Sequence, residues 1–299
     1  MSRSNEAWET YQGRPLRFRW SPSAVGDFCK CPWYYHATQV EGWRKPGNLD
    51  LLYGSALHDG LWAYYESLSY GEENPLHEAI KTALAAGAGL PISDEDTVKT
   101  RPNLVRGLIE WSDSYGVGTP GWLPLLPEAS PANEVPFEID LGMITPNGTP
   151  YTLYGILDRV VALKGKPAVL DSKSTKFSMG SFYFDRFRPD TQISLYEGAG
   201  TLLFYGYKGK VLIDAFFLSK TQGVNVFRAE LEVHDGIEAI EDAKFWIGQA
   251  EICATMGVWP RNRTSCSLYG GCVFRKVCAA PAASRQLILE QEYEKKYED

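Results

Sequence analysis

The sequence lacks any long hydrophobic run. No stretch of its 299 residues approaches the roughly 18 consecutive apolar residues that a membrane-spanning helix requires. Its first residues, MSRSNEAWETYQGRPLRFRW, also lack the apolar core of a secretory signal peptide. These absences argue against a membrane span and against secretion, and they favour a cytoplasmic protein.

The chain also lacks an excess of positive charge, an internal repeat and any low-complexity tract. Its 30 basic and 37 acidic residues give a net charge of −7, which argues against non-specific coating of nucleic acid. A local basic groove could still exist beside an acidic site. The short basic clusters, each more typical of a solvated surface when taken alone, are Arg14, Arg17 and Arg19; Arg186 and Arg188; Arg261 and Arg263; and Arg275 and Lys276.

Cysteine is scarce, and its six residues are unevenly placed. Cys29 and Cys31 lie near the start, and the remaining four lie near the end: Cys253, Cys266, Cys272 and Cys278. In a chain without a secretion signal, such clusters favour metal ligands over disulfides. Cys253, on a predicted helix, is instead expected to be a buried core residue.

Hydrophobic periodicity changes near residue 131. Before it, the pattern predicts helices over residues 21–40, 51–69 and 75–115, the last interrupted near GAGLPISDED, and a loop over 116–131. After it, the pattern predicts strands over residues 134–139, 151–163, 168–174, 211–218 and 224–233. Further helices are predicted over residues 191–205 and 236–255. This order predicts an α/β fold with a central mixed β-sheet flanked by helices.

No clean linker divides the chain. We therefore expect a single domain over residues 1–299, in which residues 51–130 are a mainly helical insertion and residues 131–235 are the sheet core.

Three charged residues interrupt the apolar strands of this core. Asp158 lies within GILDRVV, and Asp171 and Lys173 follow the apolar run AVL. If a hairpin turn is centred on Lys164-Gly165, paired residue numbers sum to 329, so the two aspartates should face each other. Their β-carbons should then lie about 4.5–5.5 Å apart, with Lys173 on the same face of the sheet.

Two carboxylates this close repel each other unless a cation lies between them. Hard oxygen ligands suit Mg²⁺ or Mn²⁺, which activate water and neutralise the charge of a phosphodiester. The adjacent lysine could orient the attacking water. The alternative is a plain Asp–Lys salt bridge, since Asp-x-Lys also occurs at Asp242-Ala243-Lys244 on a predicted helix.

The order of the motifs around this triplet resembles the PD-(D/E)xK nuclease superfamily, in its RecB-type branch. The matching pieces span most of the chain, from SPSAVGDFCKCPWYYH through GSALH, GILDRV, VLDSKS and QISLY to CSLYGGCVFRKVC. That branch includes the nuclease domains of bacterial recombination helicase complexes, CRISPR spacer-acquisition nucleases and many phage exonucleases. The resemblance implies a restriction-endonuclease-like core.

The resemblance also implies roles for four residues. His58 of GSALH becomes a metal ligand, although a lone histidine in an apolar helix is more often a packed core residue. Asp158 and Asp171 become the carboxylate ligands, and Lys173 becomes the lysine that positions the nucleophile.

The motif QISLY places Gln192 and Tyr196 four residues apart on a predicted helix, so both should face the same way. In the family, that helix borders the active site and contacts DNA. Glu134 could correspond to an upstream acidic residue. Nearby aromatic residues could stack on bases or belong to the core: Tyr183, Phe184 and Phe187.

The cysteines resemble the family's [4Fe–4S] site, in which one N-terminal and three C-terminal cysteines bind the cluster. This implies Cys31, Cys266, Cys272 and Cys278 as ligands, with residues 260–280 closing onto residues 21–40 as an iron–sulfur staple. The C-x5-C-x5-C spacing departs from the C-x2-C-x5-C of some members. Zinc therefore remains a competitor, and Cys29 remains a rival to Cys31.

Together these features predict a Mg²⁺- or Mn²⁺-dependent deoxyribonuclease, more specifically an exonuclease acting on DNA ends or single strands. DNA repair, recombination, phage replication or spacer acquisition are the expected settings, with recombination, replication or CRISPR-adaptation proteins as partners. The alternatives are a non-catalytic DNA-binding or assembly subunit that retains the fold and the cluster, and a zinc-stapled binding protein.

Overall fold

The computed structural model describes residues 7–93, 97–127, 132–177, 179–267 and 271–296. The chain divides into two compact units. Unit 1 comprises residues 1–47, 138–155 and 237–299, and unit 2 comprises residues 48–137 and 156–236. The predicted loop over residues 116–131 and the segment CSLYGGCVFRKVC lie partly outside the described residues, at positions 128–131 and 268–270.

Helices and strands follow one another in short runs along the described chain. The helices are α1 (Pro22–Lys30), α2 (Pro32–Tyr35), α3 (Leu49–Ser69), α4 (Pro75–Ala86), α5 (Arg101–Tyr115), α6 (Ser181–Asp185), α7 (Thr191–Leu203), α8 (Gly236–Met256), α9 (Arg275–Ala279) and α10 (Arg285–Glu292). The strands are β1 (Trp8–Tyr11), β2 (Arg14–Arg17), β3 (Arg19–Trp20), β4 (Trp43–Arg44), β5 (Asn133–Ile144), β6 (Pro150–Leu163), β7 (Lys166–Thr175), β8 (Lys210–Ser219), β9 (Gly223–Glu232) and β10 (Glu294–Lys295). Across the described residues, no helix combines the length and apolar character needed to cross a membrane.

Most predicted elements are confirmed, and the first helix is the main correction. The predicted helix over residues 21–40 is divided at Cys31, whose φ of −168° is extended. Pro32 then begins α2, which continues into a π-helical turn over His36–Val40. The break has a physical cause, because a residue that precedes proline is disfavoured in the helical region. The short strands β1 to β4 were not predicted.

Unit 2 contains a mixed sheet formed by residues 156–163 of β6, then β7, β8 and β9, in that order. Strands β6 and β7 are antiparallel, β7 and β8 are parallel, and β8 and β9 are antiparallel. The β6–β7 register runs from Leu163↔Lys166 to Arg159↔Leu170, so every pair sums to 329 as predicted. The turn between them has positive φ at Lys164 (51°) and Gly165 (75°), as a two-residue hairpin turn of this kind requires.

Helices cover both faces of this sheet. On one face, α3, α4 and α5 share a core with β8 and β9, which includes Leu57, Tyr65, Leu104, Trp111, Phe216 and Val226. On the other face, α6 and α7 share a core with the same strands, which includes Tyr183, Phe187, Ile193, Ile213, Ala215 and Leu231. Alternate residues of β8 supply the two cores, which is the period-2 pattern of a strand buried on both sides. The predicted α/β class with a central mixed sheet is confirmed.

Unit 1 contains the two ends of the described chain. Strand β1 pairs with β2, β3 pairs in parallel with Thr152 and Leu153 of β6, and β4 pairs with β10. Its core joins residues from both ends of the chain: Ala37, Trp43, Phe274, Val277, Leu289 and Tyr293. The segments around residues 21–40 and 260–280 therefore belong to one unit, and the Trp33 N–H donates to the Pro260 carbonyl at 3.1 Å.

Candidate active site and cysteine pocket

Four predicted residues converge in unit 2. His58 comes from α3, Asp158 from β6, and Asp171 and Lys173 from the end of β7. His58 Nδ1 lies 3.2 Å from Asp158 Oδ2, and Lys173 Nζ lies 2.9 Å from Asp171 Oδ2. Residues that are far apart in the sequence thus form one charged cluster.

The backbone at this cluster departs from a regular ladder. The pairing of β6 with β7 ends at Arg159↔Leu170, one step before the two aspartates. Beyond that step, the Ser172 N–H donates to Asp158 Oδ2 at 3.0 Å. The Ser172 carbonyl lies 2.9 Å from His58 Nε2. Asp158 and His58 therefore contact the backbone of the strand that carries Asp171 and Lys173.

The two aspartates experience different electrostatic environments. Burial would raise the pKa of Asp158, but His58, Arg159 and Lys173 together lower it to about 2. Burial and the nearby Asp158 charge raise the pKa of Asp171, against the opposing effect of Lys173. The charge of Asp158 thus acts on Asp171, and Lys173 acts on both carboxylates, which indicates that the two side chains share one site.

The two basic groups of the cluster respond to both aspartates. Burial alone would lower the pKa of Lys173, but the charges of Asp171 and Asp158 raise it well above its usual range. Burial also opposes the charged form of His58, whose pKa is nevertheless raised by Asp158 and, more weakly, by Asp171. Both effects stabilise positive charge beside the carboxylates.

Helix α7 presents the predicted Gln192 and Tyr196 to this cluster. Lys173 Nζ donates to Gln192 Oε1 at 2.9 Å, and Gln192 Nε2 donates to the Tyr196 hydroxyl at 2.9 Å. The Asp190 carboxylate caps the helix by accepting from the Gln192 and Ile193 N–H groups. The prediction that Gln192 and Tyr196 share a face of the helix is confirmed. The Asp190 cap fixes the residue at which α7 begins.

Sequence reasoning missed two residues of this region and left a third weakly supported. Arg159 is 2% exposed, donates to the Ser172 hydroxyl and lies 4.0 Å from Asp158 Oδ2. Asp59 and Asp158 both contribute to raising the pKa of Glu134, after burial as the largest cause. Glu134 also has an unusual φ of 51° for a non-glycine residue. Each of the two missed residues directly follows a predicted site residue in the sequence, Arg159 after Asp158 and Asp59 after His58. This adjacency is the signal that could have identified them.

The aromatic residues considered for base stacking are core residues instead. Tyr183 and Phe187 are only 6% and 4% exposed, and Phe184 packs against the same core. The core interpretation is therefore confirmed for Tyr183, on α6, and for Phe187, which follows α6, since both pack against residues of β8 and β9.

The carboxylate cluster has donors that suit a hard divalent cation. Among the described residues, no three His, Cys, Asp or Glu side chains form a ready-made metal site. However, Asp171 is buried, and the Lys173 ammonium lies 3.1 Å from its Oδ1 and 2.9 Å from its Oδ2. The neighbouring Asp158 carboxylate repels the charge of Asp171, and a bound divalent cation would offset that repulsion. The donor set of Asp158, Asp171 and His58 therefore fits such an ion.

Four cysteines of unit 1 line one cavity of about 340 Å³. They are the four that the family resemblance implies as metal ligands: Cys31, Cys266, Cys272 and Cys278. The Asn262 N–H donates to Cys31 Sγ at 3.3 Å, and the Cys272 N–H donates to the Cys266 carbonyl at 3.0 Å. Basic side chains also line the cavity: Lys30, Arg261, Arg263, Arg275 and Arg285. Four sulfur ligands among cationic groups suit a thiolate-bound metal centre.

The other two cysteines differ from these four. Cys29 does not line the cavity, and burial raises its pKa to about 11. Cys253, on α8, is only half-buried, so its prediction as a fully buried core residue is wrong. The helix break at Cys31 explains the contrast, since Cys29 still belongs to α1 whereas Cys31 begins the next turn of chain.

Comparisons with known proteins agree with this fold. A solved structure from Eubacterium rectale, named as a candidate exonuclease, has a TM-score of 0.50 at 12% identity over 84% of this chain and 86% of its own. A second, the protein SSO0001, has 17% identity over 50% of this chain and 59% of its own, with a TM-score of 0.27. No curated protein matches the sequence. The sequence model of the PD-(D/E)XK nuclease superfamily matches residues 19–279, and the chain belongs to that superfamily.

Proposed function

We propose that this protein is a metal-dependent nuclease that hydrolyses DNA phosphodiester bonds at the cluster of His58, Asp158, Asp171 and Lys173. The observation that carries the proposal is this convergence of two carboxylates, an imidazole and an ammonium group in a chain of a nuclease superfamily. Nucleases of this kind need a cation beside a scissile phosphate, and paired carboxylates supply its ligands.

Asp158 and Asp171 would hold Mg²⁺ or Mn²⁺, which would supply an activated water and neutralise phosphate charge. Lys173 carries its positive charge beside Asp171 and is held by Gln192, so its ammonium is positioned to orient the nucleophile. The Tyr196 hydroxyl accepts from the Gln192 amide and fixes its orientation. Gln192 and Tyr196 therefore act as positioning residues.

His58 is the third proposed ligand. Its two ring nitrogens lie 3.2 Å from Asp158 Oδ2 and 2.9 Å from the Ser172 carbonyl oxygen. A cation takes a lone pair from a neutral imidazole, so His58 can become a ligand only by exchanging one of these contacts. His58 Nδ1 already lies beside Asp158, which is itself a proposed ligand, so the imidazole would need only a small movement to make the exchange.

The exonuclease activity and the cellular setting belong to this proposal as well. The Eubacterium rectale neighbour is named as a candidate exonuclease, and the RecB-type motifs favour action on DNA ends. Repair, recombination, phage replication and spacer acquisition remain the proposed settings.

We propose a [4Fe–4S] cluster as the occupant of the cysteine cavity. Four thiols and several cationic side chains around one volume support four-thiolate ligation of an anionic cluster. Zinc would use the same thiolates. In either case the metal centre links Cys31 with three cysteines more than 230 residues later, which would stabilise unit 1 by closing a long loop.

The decisive experiment digests end-labelled single-stranded and double-stranded DNA with Mg²⁺, Mn²⁺ or EDTA. We expect cutting with either metal and none with EDTA. The variant Asp171→Asn should lose at least about a hundredfold in rate, because it removes a charged ligand while preserving shape. The matched control is Asp242→Asn, since Asp242 belongs to the second Asp-x-Lys of the chain, on α8.

Full activity of Asp171→Asn would remove Asp171 from the mechanism. DNA binding without any cutting, under both metals, would instead support the alternative of a non-catalytic subunit.

A further inference from the structure

Ser172 lies in the middle of the Asp-x-Lys motif and contacts three side chains of the candidate site. Its N–H donates to Asp158 Oδ2 at 3.0 Å, and its carbonyl oxygen lies 2.9 Å from His58 Nε2. Its hydroxyl accepts from the Arg159 guanidinium at 2.5 Å. Any residue except proline could supply the two backbone groups. Only the contact with Arg159 therefore depends on the serine side chain.

Arg159 carries a buried positive charge. The residue is 2% exposed, and its guanidinium lies over the Tyr65 ring, 5.5 Å from the ring centroid. Across the described residues, its Nε donates to no hydrogen-bond acceptor. Burial of a charge costs free energy unless charged and hydrogen-bonding partners compensate it. The guanidinium would therefore gain from a closer carboxylate.

The Asp158 carboxylate is close to this charge but is not hydrogen-bonded to it. A terminal nitrogen of Arg159 lies 4.0 Å from Asp158 Oδ2, whereas the same nitrogen donates to Ser172 Oγ. Burial would raise the pKa of Asp158, and the charges of His58 and Arg159 are among those that lower it. Arg159 thus acts on the charge of Asp158 without occupying its lone pairs.

This separation matters because an arginine and a metal ion would use the same carboxylate oxygens. Arginine and carboxylate groups in contact commonly form two parallel hydrogen bonds. Such a pair directs the lone pairs of the carboxylate at N–H groups, and a divalent cation would have to displace them. The Ser172 hydroxyl gives the Arg159 guanidinium a different acceptor, and the Tyr65 ring supports its face.

We propose that the Ser172 side chain is a positioning residue, which holds the Arg159 guanidinium away from Asp158 and leaves that carboxylate free to bind the divalent cation. Without the hydroxyl, Arg159 would lose the acceptor that it has at its present position and would move onto Asp158. This inference rests on the proposed metal-dependent function and adds the group that keeps one of the metal ligands available.

The first test measures Mn²⁺ binding by calorimetry in the absence of DNA. Ser172→Ala should weaken Mn²⁺ binding at least about tenfold, which corresponds to competition from one hydrogen bond between charged groups. Arg159→Met should bind Mn²⁺ at least as tightly as the native protein, because it removes a nearby positive charge. In the Arg159→Met background, Ser172→Ala should change the affinity by less than about twofold. General damage to the fold would instead weaken binding in both backgrounds.

The matched control is Ser174→Ala. Ser174 lies two residues further along β7, and its hydroxyl accepts from the buried Lys99 ammonium at 2.8 Å. The control therefore removes a hydroxyl from a buried cation on the same strand, but from a cation other than Arg159. It should bind Mn²⁺ like the native protein.

A crystal structure of metal-free Ser172→Ala tests the geometry directly. The distance between the Arg159 guanidinium and the Asp158 carboxylate should shorten from 4.0 Å to about 2.8 Å. An unchanged distance, native Mn²⁺ affinity in Ser172→Ala, or an equal loss of affinity in both backgrounds would overturn the inference. Native protein that binds neither Mn²⁺ nor Mg²⁺ would refute the metal-dependent function, and the crystal structure would still decide whether Ser172 holds Arg159 away from Asp158.

Discussion

Replacing Lys173 with methionine separates two roles that its ammonium group combines. The group lies 2.9 Å and 3.1 Å from the two oxygens of Asp171 and donates to Gln192 at 2.9 Å. Methionine keeps an unbranched side chain of similar length, so the packing around the site should survive. Lys173→Met therefore removes a charge and little else.

The expected loss in rate follows from these contacts. Hydrogen bonds to charged groups contribute about 1.5–3 kcal/mol each. Loss of one preorganised electrostatic donor costs about 10²- to 10³-fold in kcat. We expect a loss of that size in kcat, with a change in KM of less than about threefold, because in the proposed mechanism Lys173 would act on the reacting group and not on the rest of the DNA.

The Lys173→Met variant should bind a divalent cation more tightly, although it cuts DNA more slowly. In the proposed site, the Lys173 ammonium and a divalent cation would compete for the charge of Asp171, since like charges close together repel each other. Removing the ammonium should therefore tighten the binding of Mn²⁺, measured by calorimetry in the absence of DNA. The control is Lys244→Met, in the second Asp-x-Lys, where Lys244 pairs with Glu241 on the surface of α8.

The reasoning would be refuted by a Lys173→Met variant that cuts DNA within about threefold of the native rate. A variant that loses both catalysis and Mn²⁺ binding would also contradict it, since that result would mean the lysine supports the metal site rather than opposing the cation.

Two further predictions concern stability and cofactor content. Asp214 is fully buried and accepts from Arg228 at 2.6 Å and 2.7 Å and from Trp111 at 2.8 Å. Asp214→Asn should therefore cost about 3–5 kcal/mol in urea unfolding, whereas the double variant Asp214→Leu/Arg228→Met should recover most of it. The proposed iron–sulfur cluster predicts that purified native protein contains iron and is brown, that Cys31→Ser loses both properties, and that Cys29→Ser retains them. Equal iron content in the two cysteine variants, or a loss below about 1 kcal/mol for Asp214→Asn, would contradict these predictions.

The hairpin that carries the two aspartates was predictable because its determinants are local. A Lys-Gly turn fixes the pairing sum, and the period of two then fixes which residues share a face. The predicted register does not show where the backbone pairing of β6 with β7 ends. Beyond Arg159↔Leu170, the Ser172 N–H donates to the Asp158 side chain, a contact that the pattern of apolar residues does not predict.

The aromatic residues show the opposite case. Residues 182–184 read Phe-Tyr-Phe, and nothing in that order shows which ring is buried. The answer depends on how α6 meets β8 and β9, which turns Tyr183 inward and leaves Phe182 in solvent. Composition therefore located the aromatic segment, but only tertiary packing separated the core rings from the exposed one.

The position of Lys173 is determined by packing as well as by charge. Both aspartates attract its ammonium, so electrostatics alone would allow it to settle against either carboxylate. Gln192 holds it on the side of Asp171, and Tyr196 fixes Gln192 while its own ring packs edge-on against Phe137, at 6.2 Å between centroids. A path of contacts thus runs from the core to the lysine. A lysine without these contacts would lose this orientation to rotamer entropy, so α7 is the element that would hold the charge in place for the proposed reaction.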